Sequence, residues 1–148
     1  MDYLLDSNII LTYSRSDKIT RRLEANYKIF DGQNRIALSV VSKGEIEAAI
    51  LKLGLGEGRK RRIQYLMNRL TIFGINFDKI IQKYAEIDAY SQGKIKIPTA
   101  KFSSRNMGKN DLWIAATASA FDLQLVTMDK DFNHLAPSYI DLLYVETT

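Results

Sequence analysis

The chain has 148 residues, 46% of them hydrophobic and 26% charged, a size and balance that suit one domain around one core and exclude a disordered polypeptide. It has no cysteine and one histidine, which excludes disulfides, thiolate zinc sites, cysteine nucleophiles and histidine-rich metal sites. The net charge of +4 fits a polyanionic partner, and no apolar run reaches membrane-spanning length.

The first segment, Asp2–Asp6, is predicted as a strand, with an acid where a secretory signal would carry positive charge. A cytoplasmic location is therefore expected. A short helix is predicted from about Asn8 to Ser14. Asp17 caps a second helix running to about Phe30, with Ile19, Leu23, Tyr27 and Phe30 at helical spacing. After the turn Asp31-Gly32-Gln33-Asn34 comes a strand over Arg35–Ser39. Ser42 is expected to start the next helix, which ends near Leu53. Gly54-Leu55-Gly56-Glu57-Gly58 follows a helix and not a strand, so it reads as a helix–helix connection and not a phosphate loop. Further helices are expected over about 57–70, over 78–91 with Asp78 as cap, and over 111–121. Strands are expected at Thr71–Ile75, Gln124–Thr127 and Leu142–Val145. A long loop fills about 92–110.

Short apolar strands alternating with helices point to a parallel sheet covered on both faces. In such folds ligands bind beyond the carboxyl ends of the strands, where the strand order reverses. Four acids stand at element ends. Asp6 closes the first strand, Glu45 lies near the start of a helix, Asp111 opens an apolar helix, and Asp129 follows the strand Gln124–Thr127. Like charges brought to one edge are costly unless a cation holds them, and oxygen donors suit Mg²⁺ or Mn²⁺. Each acid also has an ordinary reading. Asp6 and Asp111 can cap helices, Glu45 completes a Ser-x-x-Glu capping box with Ser42, and Asp129-Lys130-Asp131 can be turn chemistry. The set carries more weight than its members, because separate caps do not explain four acids at one edge of a sheet.

Four segments sharpen this reading. They are Leu4-Leu5-Asp6-Ser7-Asn8, Ser39-Val40-Val41-Ser42-Lys43-Gly44-Glu45, Asn110-Asp111-Leu112-Trp113-Ile114-Ala115-Ala116-Thr117-Ala118, and Leu125-Val126-Thr127-Met128-Asp129-Lys130-Asp131-Phe132. In this order they resemble the PIN-domain ribonucleases, in particular the VapC-type toxins of toxin–antitoxin pairs, over nearly the whole chain. The resemblance implies a single nuclease domain over residues 1–148. It implies a three-layer α/β/α sandwich with a central parallel sheet of order 3-2-1-4-5. It also implies that Asp6, Glu45, Asp111 and Asp129 hold Mg²⁺ or Mn²⁺ for RNA hydrolysis, with Asp131 as a further candidate ligand and Asn8 and Ser42 as supporting polar residues. A homodimer and an antitoxin protein partner come with it. The stretch before Asp111 is longer than is usual for these toxins, which implies a different entrance to the site.

From Ala89 to Asn110 there is no acid but five basic residues: Lys94, Lys96, Lys101, Arg105 and Lys109. This segment reads equally as a solvated loop or as a path for an RNA backbone, with Lys101, Arg105 and Lys109 as its nearest contacts to the acids. Arg59-Lys60-Arg61-Arg62 begins a helix and reads first as a solvated helix face; cations there oppose the helix dipole, which adds some weight to a phosphate or acidic partner. His134 reads as a surface histidine near a helix end. Trp113, Phe73, Tyr84 and Phe132 read as core. Two other functions remain open: a housekeeping RNA-processing nuclease of the same fold, and a phosphoacceptor or binding domain with strand-end carboxylates and no nuclease activity. The phosphoacceptor reading needs paired acids at the end of the first strand, and Asp2 is at its wrong end.

Overall fold

A computed structural model describes residues 2–147. In chain order the elements are β1 (Asp2–Leu5), α1 (Ser7–Tyr13), α2 (Lys18–Tyr27), β2 (Arg35–Ser39), α3 (Val40–Leu53), α4 (Glu57–Met67), β3 (Thr71–Phe73), α5 (Asp78–Ser91), α6 (Lys109–Ala120), β4 (Gln124–Thr127), a 3₁₀ helix (Lys130–Leu135) and β5 (Asp141–Tyr144). The five strands form one parallel sheet of order β3-β2-β1-β4-β5. This is the expected architecture.

Strand periodicity makes the layers. Leu4 and Leu125 point to one face, where they pack with Ile80, Ile87 and Tyr90 of α5 and with the apolar side of α6. Leu5 and Val126, one residue on, point to the other face and meet Ile9 and Ile10 of α1, Leu23 of α2, Ile46 of α3 and Ile63 of α4. On α6, Ala115, Ala116, Ala118 and Ala120 are all buried, and their small side chains let the helix lie close on the sheet. Phe132 is fully buried, Trp113 packs on Tyr84 at 4.2 Å, and Phe73 stacks on Phe121 at 4.9 Å, as core aromatics should.

Several expected boundaries move, each for a local reason. The helix assigned to start at Ser42 begins two residues earlier, at Val40. Ser39 is its cap, accepting from the Val41 amide at 3.1 Å, and Ser42 is buried inside the first turns. The helix expected to begin at Asp111 starts at Lys109, with Gly108 at the cap position. β5 occupies Asp141–Tyr144, one residue before its expected place, and the 3₁₀ helix was not anticipated. The segment between α5 and α6 is not merely solvated. Its Ile97, Ala100, Phe102 and Met107 pack against the core, and the Arg105 amide donates to the Ser91 carbonyl at 2.8 Å. Among the described residues no helix is long and apolar enough to cross a membrane.

Candidate active site

The strand order reverses between β1 and β4, and their register sets the first acid. Leu5 pairs with Val126, and the Asp6 amide donates to the Val126 carbonyl at 2.9 Å, so Asp6 stands immediately past the strand end. Its carboxylate is 5% exposed. It accepts from the Ser7 amide at 2.8 Å, from Thr127 Oγ1 at 2.7 Å and from Asn8 Nδ2 at 3.4 Å. Asp6 is therefore the cap of α1, as the simpler reading has it, and is also fixed at the switch point of the sheet. Asn8 Oδ1 accepts in turn from the Met128 amide at 3.4 Å, which ties α1 to the end of β4.

Glu45 is not a capping-box residue. With the cap at Ser39, it lies in the second turn of α3, and its carboxylate reaches across the edge instead. It accepts from Ser7 Oγ at 3.2 Å and from Asn110 Nδ2 at 3.4 Å. Ser42, one turn earlier on α3, has a buried Oγ with no hydrogen-bond partner. A cavity of about 570 Å³ opens beside Glu45, lined by Val40, Ala48, Lys52 and Asn110.

Asp111 sits in the first turn of α6, half-buried, where the helix dipole favours negative charge. Asp129 caps the 3₁₀ helix by accepting from the Asp131 amide at 2.9 Å, and its own amide donates to Thr127 Oγ1 at 3.0 Å. One carboxylate oxygen from each of Asp111, Asp129 and Asp131 can be chosen so that all three lie within 4.8 Å of one another. Asp131, a subsidiary candidate on sequence grounds, thus belongs to the tightest group of acids. Asp6 and Glu45 flank that group.

The electrostatics record the crowding. Burial, and then repulsion by Glu45 and Asp129, push Asp6 up to about 6 despite its hydrogen bonds to Thr127 and Ser7. Asp111 rises to about 7, through burial first and then through Asp6, Asp129, Glu45 and Asp131. Asp111 therefore feels all four of the other carboxylates, and Asp6 feels Glu45 and Asp129. The donor set is entirely oxygen, and an added cation would offset both the burial and the mutual repulsion, so these residues fit a hard divalent metal.

The basic residues divide into two groups. Half-buried Arg59 and exposed Arg62 bond back onto α1, while Lys60 and Arg61 stay exposed on the helix face. Arg59 donates to Ser14 Oγ at 2.8 Å and to the Leu11 carbonyl at 2.9 Å, and Arg62 donates to the Ser14 carbonyl. They close the C-terminal end of α1, where cations complement the dipole. Lys101, Arg105 and Lys109 are exposed on the segment that leads to Asp111. His134 is half-buried and not a surface residue. Its Nε2 is 2.8 Å from Ser91 Oγ, its ring lies 5.1 Å from Phe102, and its Nδ1 is buried without a partner. Burial and the nearby Arg105 lower its pKa. No sequence motif marks this contact, because His134 is more than 30 residues from both Ser91 and Phe102.

The fold and this acidic edge define a class, and the family comparison agrees. The PIN domain model matches residues 3–137, and the chain belongs to that family. Its fold is shared by solved VapBC toxin–antitoxin structures. VapBC2 from Rickettsia felis, bound to a DNA fragment from its promoter, matches with TM-score 0.72 and 23% identity, over 99% of this chain and 100% of that one. VapBC-1 from nontypeable Haemophilus influenzae matches with TM-score 0.66 and 24% identity, over 97% and 98%. VapBC-5 from Mycobacterium tuberculosis matches with TM-score 0.64 and 21% identity, over 97% and 98%. No curated protein matches the chain significantly.

Proposed function

We propose that the protein is a metal-dependent endoribonuclease and the toxin of a toxin–antitoxin pair. The observation that carries this reading is the gathering of Asp6, Glu45, Asp111, Asp129 and Asp131 at the switch point of a PIN-family sheet, with two of the acids held well above the ordinary carboxylate range. Asp6, Glu45, Asp111 and Asp129 would hold Mg²⁺ or Mn²⁺, with Asp131 as a further oxygen donor. When bound, such an ion lowers the pKa of water and stabilises charge on a phosphodiester under attack.

The chain's own contribution is to arrange this group. Thr127, Asn8 and the Ser7 amide fix the Asp6 carboxylate, and Ser7 Oγ with Asn110 Nδ2 hold Glu45 toward it. No side-chain nucleophile is needed, which accords with the absence of cysteine and the inward-facing His134. The exposed Lys101, Arg105 and Lys109 would guide the phosphate backbone to an edge that would otherwise repel it. The phosphoacceptor alternative is disfavoured, because Asp2 lies at the opposite end of β1, paired with Arg35 at 2.9 Å. The toxin role and an antitoxin partner are supported by the likeness to VapBC structures, and the homodimer is carried over from the sequence resemblance alone.

The test is cleavage of single-stranded RNA by purified protein in Mg²⁺ or Mn²⁺, with and without a chelator. Chelation should abolish cleavage, and so should Asp6→Asn and Asp111→Asn, with the fold retained. Undiminished cleavage by both variants would defeat the assignment.

A further inference from the structure

The 92–108 segment encloses a cavity of about 460 Å³ that the acidic site does not use. Tyr90, Ile95, Ile97 and Phe102 supply apolar and aromatic walls, and Lys96 and Lys101 line it as well. Ile95 is 38% exposed, an apolar surface with nothing packed over it. The cavity is built by a definite fold of the backbone. Gly93 has φ +79°, a conformation that favours glycine, and a Cβ there would stand 2.5 Å from Ser104 Oγ, so the two limbs of the segment meet closely at this point.

The cavity neighbours the acidic edge through a short chain of contacts. Phe102 packs at 4.9 Å on Tyr90 and at 5.1 Å on His134, which belongs to the same 3₁₀ helix as Asp131. Ser91 is also 3.2 Å from Met107 Sδ, close to the start of α6 and Asp111. An aromatic wall, apolar flanks and paired lysines match the chemistry of an unpaired nucleotide, which offers a π-face to stack and a phosphate on either side. With no acid between Ala89 and Asn110, nothing on this segment repels that phosphate.

We propose that this cavity seats one unpaired base of the RNA substrate beside the position of cleavage. This inference rests on the ribonuclease reading and adds a source of sequence preference to it. Phe102 provides the stacking surface, Ile95 and Ile97 the flanks, and Lys96 and Lys101 the phosphate contacts. His134 braces Phe102 from behind as a positioning residue.

The experiment is an abasic walk. A short single-stranded oligoribonucleotide is made with one abasic site at each position in turn, and binding is read by fluorescence anisotropy with Ca²⁺ in place of Mg²⁺ to limit cleavage. With wild type, affinity should fall about fivefold or more at one or two adjacent positions and stay level elsewhere. In Phe102→Leu and Ile95→Ser that position dependence should disappear, and Phe102→Tyr should restore it. The wild-type profile decides even if a variant folds poorly. RNA that is bound and cleaved with a flat profile would overturn the subsite alone and leave the cavity to another occupant, such as an apolar side chain of a protein partner. Absence of RNA binding by wild type would overturn the ribonuclease reading with it.

Discussion

The acidic edge and the 92–108 segment lie side by side, yet they are built in different ways. The acids are placed by regular elements: Asp6 by the end of β1, Glu45 by the second turn of α3, Asp111 by the first turn of α6, and Asp129 and Asp131 around the cap of the 3₁₀ helix. The segment is irregular and is held by a few contacts, chiefly Arg105 to Ser91, Met107 to Ser91 and Phe102 to Tyr90 and His134. The first region concentrates negative charge in a rigid frame and bears an energetic strain for it. The second carries positive charge on a segment outside the sheet. Chemistry placed on the scaffold and recognition placed on the loop is a common division of labour.

The comparison breaks most sharply at Glu45. If it is part of the acidic centre, Glu45→Gln keeps an acceptor for Ser7 Oγ, can pair with Asn110 once that amide turns over, and removes a charge. RNA cleavage should fall by orders of magnitude while the metal-free melting temperature stays near wild type. Retained cleavage, measured on purified protein, would remove Glu45 from the centre.

A smaller effect, of unusual sign, concerns stability. The folded protein holds protons on Asp6 and Asp111 up to about 6 and 7, whereas an unfolded aspartate releases its proton near 3.8. Between these limits the native state binds more protons, so stability should fall as pH rises from about 4 to 7. For Asp6 the loss is on the order of 3 kcal/mol. Asp111 is half-exposed, and solvent screening reduces its share. Mn²⁺ should reverse the loss above pH 7. Asp111→Asn should melt higher than metal-free wild type at pH 8 and close to it at pH 5. A wild-type melting temperature that rises steadily through this range in chelator would contradict the repulsion described.

The segment yields the smallest effect. Neutralising Lys101, Arg105 and Lys109 together should weaken RNA binding without regard to sequence. It should also flatten the slope of log affinity against log salt by roughly 0.7 per lost phosphate contact, with melting almost unchanged. Identical slopes in a salt titration would show that these cations do not touch the backbone.

The sequence was most legible where periodicity and residue type agreed. β4 lies where the run Gln124–Thr127 puts it, and the alternation in Leu4, Leu5, Leu125 and Val126 foretells a sheet covered on both faces. The acids were legible as a set because each falls at an element end or within two turns of one, and the strand order followed from the resemblance they carry. Local signals misled where two of them competed. Ser39 and Ser42 both suit a helix start, and the Ser-x-x-Glu pattern favours the wrong one. Ser39 ends β2 and its Oγ accepts from the Val41 amide, so the helix starts at Val40 and leaves Ser42 inside. Arg59 and Arg62 looked unpaired because their acceptors belong to α1, some 48 residues away for Arg62. The contact of His134 with Ser91 was hidden for the same reason. Tertiary pairing of polar groups leaves no periodic trace in a sequence.

The central claim is that the acidic edge is a cation site, and Mn²⁺ binding tests it most directly. Free Mn²⁺ can be followed by electron paramagnetic resonance as purified protein is titrated. The account predicts saturable binding by wild type at pH 8, much weaker binding at pH 5 where Asp6 and Asp111 are protonated, and loss of binding in Asp111→Asn. Equal binding by wild type and Asp111→Asn, unaffected by pH across this range, would contradict it.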